Sequence, residues 1–124
     1  MDLRLTDEQE QLVDAVSALY AKHAPSERVR EVEPDGFDDA LWARLQEMGV
    51  VAMAVDEAGG GWGASTLDLA LVAEQHGRAV APAPLIEAQV GARLLARVAS
   101  DRLGPVVEGE RLVTVALHPA VDGV

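Results

Sequence analysis

Residues 55–66 read VDEAGGGWGAST: an apolar run ends in two carboxylates, three successive glycines follow, and a helical pattern begins behind Ser65. A glycine-rich turn ahead of a helix does one of two things. It cradles a phosphate on free backbone N–H groups, or it lets two packed elements approach closely. A phosphate loop needs a Lys and then Ser or Thr at the helix start, yet no Lys or Arg lies between Arg44 and Arg78. Asp56 and Glu57 stand directly before the glycines and repel an anion. The GxGxxG fingerprint is not completed either, because Ala64, Ser65 and Thr66 follow the last glycine. The stretch is therefore read as a hinge between helices.

Downstream of the hinge, Ser65 with Asp68 three residues on makes a capping box for a helix. Leu67, Leu69, Ala70, Leu71, Val72 and Ala73 leave that helix almost no polar face, so a central position is expected for it. It turns polar at Glu74, Gln75 and His76, and Gly77 with Pro82 and Pro84 ends it. A further helix is expected over 85–99, with Ile86, Val90, Leu94, Leu95 and Val98 apolar and read as core. Residues 112–117, LVTVAL, have strand composition.

Upstream, Thr6 and Gln9 form another capping box, and Leu12, Val13, Val16, Leu19 and Tyr20 recur at helical spacing, predicting a helix over 7–23. A short helix capped by Ser26 follows, running to Val32 and closed by Pro34. A third begins at Asp38 or Asp39, buries Leu41, Trp42, Leu45 and Met48, and stops at Gly49 in the left-handed conformation. VVAMAV, residues 50–55, is too short for an independent helix and is expected to be extended.

The prediction is thus an all-α chain: a bundle of about five helices over 1–111, ending in a short strand that opens a truncated second domain at 112–124. A chain of 124 residues suffices for one modest core, and 49% hydrophobic residues mark it as globular. A net charge of -11 excludes nucleic acid as a partner, since phosphates demand clustered Lys and Arg. There is no cysteine, so thiolate metal sites, disulfides and thiol catalysis are excluded. His23, His76 and His118 lack metal-ligand spacing. No apolar run reaches membrane-spanning length, so membrane insertion is not expected and a cytoplasmic location is.

No nucleophile, base and orienting group assemble from the residues alone. Glu74, Gln75 and His76 are adjacent and do not face one another on a helix, so they are read as the helix emerging into solvent. Asp56 and Glu57 are read as capping or hydrated groups rather than paired acids. His118, at the end of the strand pattern, is read as a loop histidine.

Three blocks together carry a resemblance: LTDEQEQLVDAVSALYAKHA (5–24), LWARLQEMGVVAMAVDEAGGGWGAS (41–65) and LDLALVAEQHGRAVAPAPLIEA (67–88), the last with Glu-x-x-Gly-Arg at its helix end. Their order and spacing resemble the N-terminal helical domain of acyl-CoA dehydrogenases along nearly the whole chain. The resemblance implies an enzyme in which this bundle precedes a β-barrel-like middle domain and a C-terminal four-helix bundle. It implies FAD as cofactor and α,β-desaturation of an acyl-CoA thioester, with the carboxylate base in a C-terminal domain outside this chain, so that the fragment alone is inactive. It further implies a homo- or hetero-oligomer of dehydrogenase subunits, with an electron-transfer flavoprotein among the partners. The acyl pocket is implied to be lined near Leu85, Ala88, Gln89 and Ala92, which share one helical face. Flavin contact is implied at Leu117 and His118. There the family has Thr-Glu-Pro while this chain has Leu117-His118-Pro119, a departure that keeps open a second role as a non-catalytic helical partner subunit or interaction module.

Overall fold

The computed structural model describes residues 3–116, all helix, turn and loop. Six helices are present among them: α1 (Asp7–His23), α2 (Ser26–Val32), α3 (Asp39–Met48), α4 (Thr66–Arg78), α5 (Leu85–Val98) and the short α6 (Gly104–Val107). Three 3₁₀ turns, Ala52–Ala54, Glu57–Gly59 and Ser100–Arg102, join them.

α1 and α4 are the most extensively packed helix pair, and both capping boxes form as the sequence predicts. The Gln9 side chain that accepts from the Thr6 N–H also donates to the Asp68 carboxylate at 2.9 Å, so one box is tied to the other. At the opposite end the Tyr20 hydroxyl lies 2.7 Å from His76 Nδ1. The two helices therefore run side by side, pinned at both ends. Asp38 caps α3, and Gly49 closes it with φ 78°. α2 departs from expectation: Ser26 is its first residue, Pro25 holds the cap position, and no side chain caps it.

Residues 50–55 are not extended. All six are buried, and Met53, Ala54 and Val55 donate back to the carbonyls of Gly49, Val51 and Ala52. An extended segment would need a neighbouring strand for those N–H groups, whereas a 3₁₀ turn satisfies them within itself. This turn is the hub of the core. Leu41 and Leu45 from α3, Val16 and Tyr20 from α1, Val72 from α4 and Leu85, Ala88 and Ala92 from α5 close around it. Leu45 and Leu85 are fully buried, and each contributes roughly 1.5–3 kcal/mol by leaving water.

α4 is not central. Only Val72 and His76 of it are buried, while Leu67 and Ala70 are exposed, because α1 covers one side and no described element covers the other. Residues 112–116 form no strand, since a strand needs a ladder partner and the described residues provide none. They cross α5 instead: a Cβ added to Gly91 would come 3.1 Å from both the Val113 side chain and its carbonyl oxygen. Leu117 and His118, the expected flavin contacts, lie outside the described residues.

Candidate functional site

α5 is the helix on which the expected site residues stand, and its sequence makes it apolar on two sides. Leu85, Ala88, Gln89 and Ala92 do share one face, as their spacing requires. That face is turned inward, with exposures of 0, 1, 4 and 0%. Leu85, Ala88 and Ala92 pack into the hydrophobic core, and the Gln89 amide donates to the Val50 carbonyl at 2.8 Å. Arg93 extends the same attachment, its Nε donating to the Ala54 carbonyl at 3.0 Å. A buried Gln is tolerable only because this bond is made.

The opposite face was read as core, and the structure reverses that. Ile86, Val90, Leu94 and Val98 recur every fourth residue and are 43, 51, 46 and 72% exposed. Beside this stripe a groove of about 1100 Å³ opens between the C-terminal half of α5 and the glycine turn, lined by Asp56, Ala64, Arg93, Leu94, Arg97 and Leu103 among others. Arg93 and Arg97 bring positive charge to it, with Asp56 across the way.

The glycine turn is built as a hinge. The Asp56 carboxylate accepts from the Gly59 N–H at 2.8 Å. The N–H groups of Gly60, Gly61, Trp62 and Gly63 donate to Glu57, Asp56, Ala52 and Val55 carbonyls. With these donors engaged, no nest remains for a flavin pyrophosphate. A Cβ on Gly61 would run into the Val55 and Ala52 carbonyl oxygens, so close backbone approach is what the glycine supplies.

The loop from α4 to α5 is gripped from several sides. The Ala81 N–H donates to the His76 carbonyl at 3.3 Å, and the Asp38 N–H donates to the Pro82 carbonyl at 2.8 Å. Asp38 is itself fixed: its carboxylate accepts from the Ala40 and Leu41 N–H groups and from Arg28 Nε and Nη2 at 2.8 and 3.1 Å. The hydrogen bond from Arg28 is the main reason its carboxyl is held below the usual range. His76, expected to face solvent, is buried, with its ring against the Tyr20 hydroxyl. Burial lowers the imidazole pKa, against opposing effects of Glu87 and the Ala83 backbone. Burial also raises the Tyr20 hydroxyl above its ordinary value, so Tyr20 keeps its proton beside His76 Nδ1. The four-residue step from Val72 to His76 was the sequence signal that both occupy one face.

This is an assembly of hydrogen bonds and packing. Among the described residues no cluster of His, Cys, Asp or Glu is disposed to hold a metal ion, and no helix is long and apolar enough to cross a membrane.

Residues 6–103 match the family described as acyl-CoA dehydrogenase, N-terminal domain. The acyl-CoA dehydrogenase IpdE2 of Mycolicibacterium smegmatis is 34% identical over 119 residues, covering 93% of this chain and 38% of that protein. The acyl-CoA dehydrogenase FadE27 of Mycobacterium tuberculosis is 31% identical over 125 residues, covering 94% and 34%. Among solved structures, a variant of the Tcur3481-Tcur3483 steroid ACAD superposes with a TM-score of 0.80 at 35% identity, over 90% of this chain and 32% of that one. The chain thus spans little more than a third of the curated relatives' length.

Proposed function

The chain belongs to the acyl-CoA dehydrogenase family, of which it is an N-terminal domain, and from that premise we propose that it supplies a wall of the acyl pocket in an FAD-dependent enzyme. The observation that carries the reading is the exposed apolar stripe on α5: Ile86, Val90 and Leu94 stand uncovered on a helix whose other face is fully engaged. An apolar stripe of this kind marks a surface that a ligand or another part of the protein covers. The acyl group meets this stripe. Leu85, Ala88, Gln89 and Ala92 line the wall from behind, setting its distance from residues 50–55. Bound FAD would supply hydride-accepting chemistry for the α,β-desaturation of an acyl-CoA thioester, and the catalytic carboxylate would come from chain outside this domain. The contact with FAD from this chain is assigned, by the family resemblance, to Leu117 and His118. Reoxidation by an electron-transfer flavoprotein completes the cycle.

The bulk of the substrate follows from the family context. One similar protein is named as a steroid ACAD, which supports a bulky or polycyclic acyl group over a short straight chain. The same name joins two parts, which favours a hetero-oligomer in which this chain is one kind of subunit. A second reading, a non-catalytic helical subunit, is favoured by Leu117-His118-Pro119 standing where the family has Thr-Glu-Pro.

The test uses the full-length protein, co-produced with any companion subunit. Val90→Phe narrows the wall, and the expected result is a loss in kcat/KM of roughly tenfold for a polycyclic acyl-CoA with little change for a short one. Equal effects on both substrates would refute the wall. A full-length protein with no flavin absorption and no acyl-CoA-dependent dye reduction, alone or with its companion, would leave only the non-catalytic role.

A further inference from the structure

The first turn of α5 has no cap of its own. Pro84 occupies the cap position with no side-chain hydrogen bond, whereas α1, α3 and α4 each begin at a Thr, Asp or Ser that caps. A helix start without a cap leaves backbone donors unsatisfied and is free to shift unless something else holds it. Here Ala81 and Pro82 are held from outside the helix: the His76 carbonyl at the end of α4 accepts from the Ala81 N–H at 3.3 Å, and the Asp38 N–H, from a distant part of the chain, donates to the Pro82 carbonyl at 2.8 Å. The His76 ring is fixed in turn by the Tyr20 hydroxyl, and Asp38 by Arg28. The Ala83 carbonyl then accepts from the Leu85 N–H at 3.0 Å, passing the position on to the first residue of α5.

We infer that His76, with Tyr20 behind it, is a positioning residue for the acyl wall: the Tyr20 hydroxyl fixes the buried His76, whose carbonyl holds Ala81, and so sets where the first turn of α5 stands and where Ile86 and Val90 meet the acyl group. This rests on the reading of α5 as the pocket wall. Tyr20 comes from α1, His76 from α4 and Ala81 from the loop, so these contacts convert the packing of one helix pair into the placement of a third helix. A misplacement of an ångström in a substrate-positioning element is enough to weaken productive binding substantially. Neither side chain touches the reacting atoms.

The experiment is made on the full-length enzyme with its companion subunit. The double substitution Tyr20→Phe/His76→Leu removes both polar partners at once and fills the same space, the kind of exchange a core tolerates. Tyr20→Phe alone is the milder change, and His76→Gln keeps a polar partner for the Tyr20 hydroxyl. Amide exchange is followed by mass spectrometry over residues 79–90, beside KM and kcat for acyl-CoA. In the double variant, exchange over 79–90 accelerates about tenfold and KM rises by a similar factor while kcat changes much less. Tyr20→Phe moves both readouts the same way by less, and His76→Gln returns most of the loss. Unchanged exchange over 79–90 in all three would overturn the positioning role. Faster exchange with unchanged KM would leave the loop contacts intact but sink the assignment of α5 as the wall, separating the two failures.

Discussion

α4 and α5 begin in opposite ways. The start of α4 is built from its own neighbourhood: a hinge whose Gly59 to Gly63 N–H groups are satisfied by nearby residues, then Ser65 and Asp68 capping each other's backbone at 3.1 and 2.8 Å. The start of α5 has no such cap and leans on His76 at the end of α4 and on Asp38 from a distant part of the chain, themselves anchored by Tyr20 and Arg28. A local start is written in a motif and survives in any surroundings. A remote start exists only once the rest of the fold is in place, and its position can respond to what happens elsewhere.

The sharpest way to break the local start is at the hinge. Gly61→Ala puts a methyl group against the Val55 and Ala52 carbonyl oxygens, and backbone cannot yield as a side-chain tip can. The expected loss is roughly 3 kcal/mol or more, read as a fall in the midpoint of urea unfolding. The remote start breaks at Asp38→Ala. The Ala40 and Leu41 N–H groups lose their cap, for about 2 kcal/mol, and the loop at Pro82 loses its fixed partner. Ser65→Ala, the local counterpart, costs about 1 kcal/mol, because the α4 cap is exposed and water replaces it. Asp38→Ala should also speed amide exchange over 79–90, whereas Ser65→Ala should leave that segment unchanged. Equal exchange in both variants would dissolve the distinction.

Acid separates the two starts as well. The His76 pKa lies below its ordinary 6.5 in the folded chain, chiefly because the ring is buried. The unfolded chain therefore binds this proton at a pH where the folded one does not. The contribution of neutral His76 to stability is complete above about pH 6.5 and is lost as pH falls through that value toward the folded pKa. Thermal unfolding between about pH 7 and 5 should show a slope that Tyr20→Phe/His76→Leu flattens. An unchanged slope would mean that the ring is not protonated differently in the two states.

Where structure followed local rules, the sequence could be read. Both capping boxes, a cap at Asp38 or Asp39 and the Gly49 stop came from local residue patterns. What could not be read was which apolar face is covered. α4 and α5 carry apolar residues around more than half their circumference, and periodicity says that a face exists without saying what packs on it. Ile86, Val90 and Leu94 look like core in a string of letters, yet they are exposed among the described residues. His76 was misread because it follows Glu74 and Gln75 where the helix turns polar, while its partner Tyr20 is 56 residues away. Residues 50–55 were expected to be extended because they are too short for an independent helix, and the choice of a 3₁₀ turn depended on the missing ladder.

The smallest predicted effect concerns the one strained residue in the gripped loop. Val80 is the sole described non-glycine residue with positive φ, at 49°, and its side chain is 72% exposed. A left-handed conformation costs an L-residue roughly 1–2 kcal/mol, more awkwardly still for a β-branched one. Val80→Gly removes that strain and gives up little buried surface, but it adds conformational freedom to the unfolded chain worth about 0.5–1 kcal/mol. The difference leaves a stabilisation of roughly 0.5 kcal/mol, seen as a small rise in the unfolding midpoint. If the strain is instead offset by contacts of the isopropyl group along the groove it shares with Tyr20, Ala24 and Val29, the substitution will destabilise. The sign therefore tells whether the loop merely tolerates Val80 because its neighbours are clamped, or whether Val80 itself contributes to holding the start of α5.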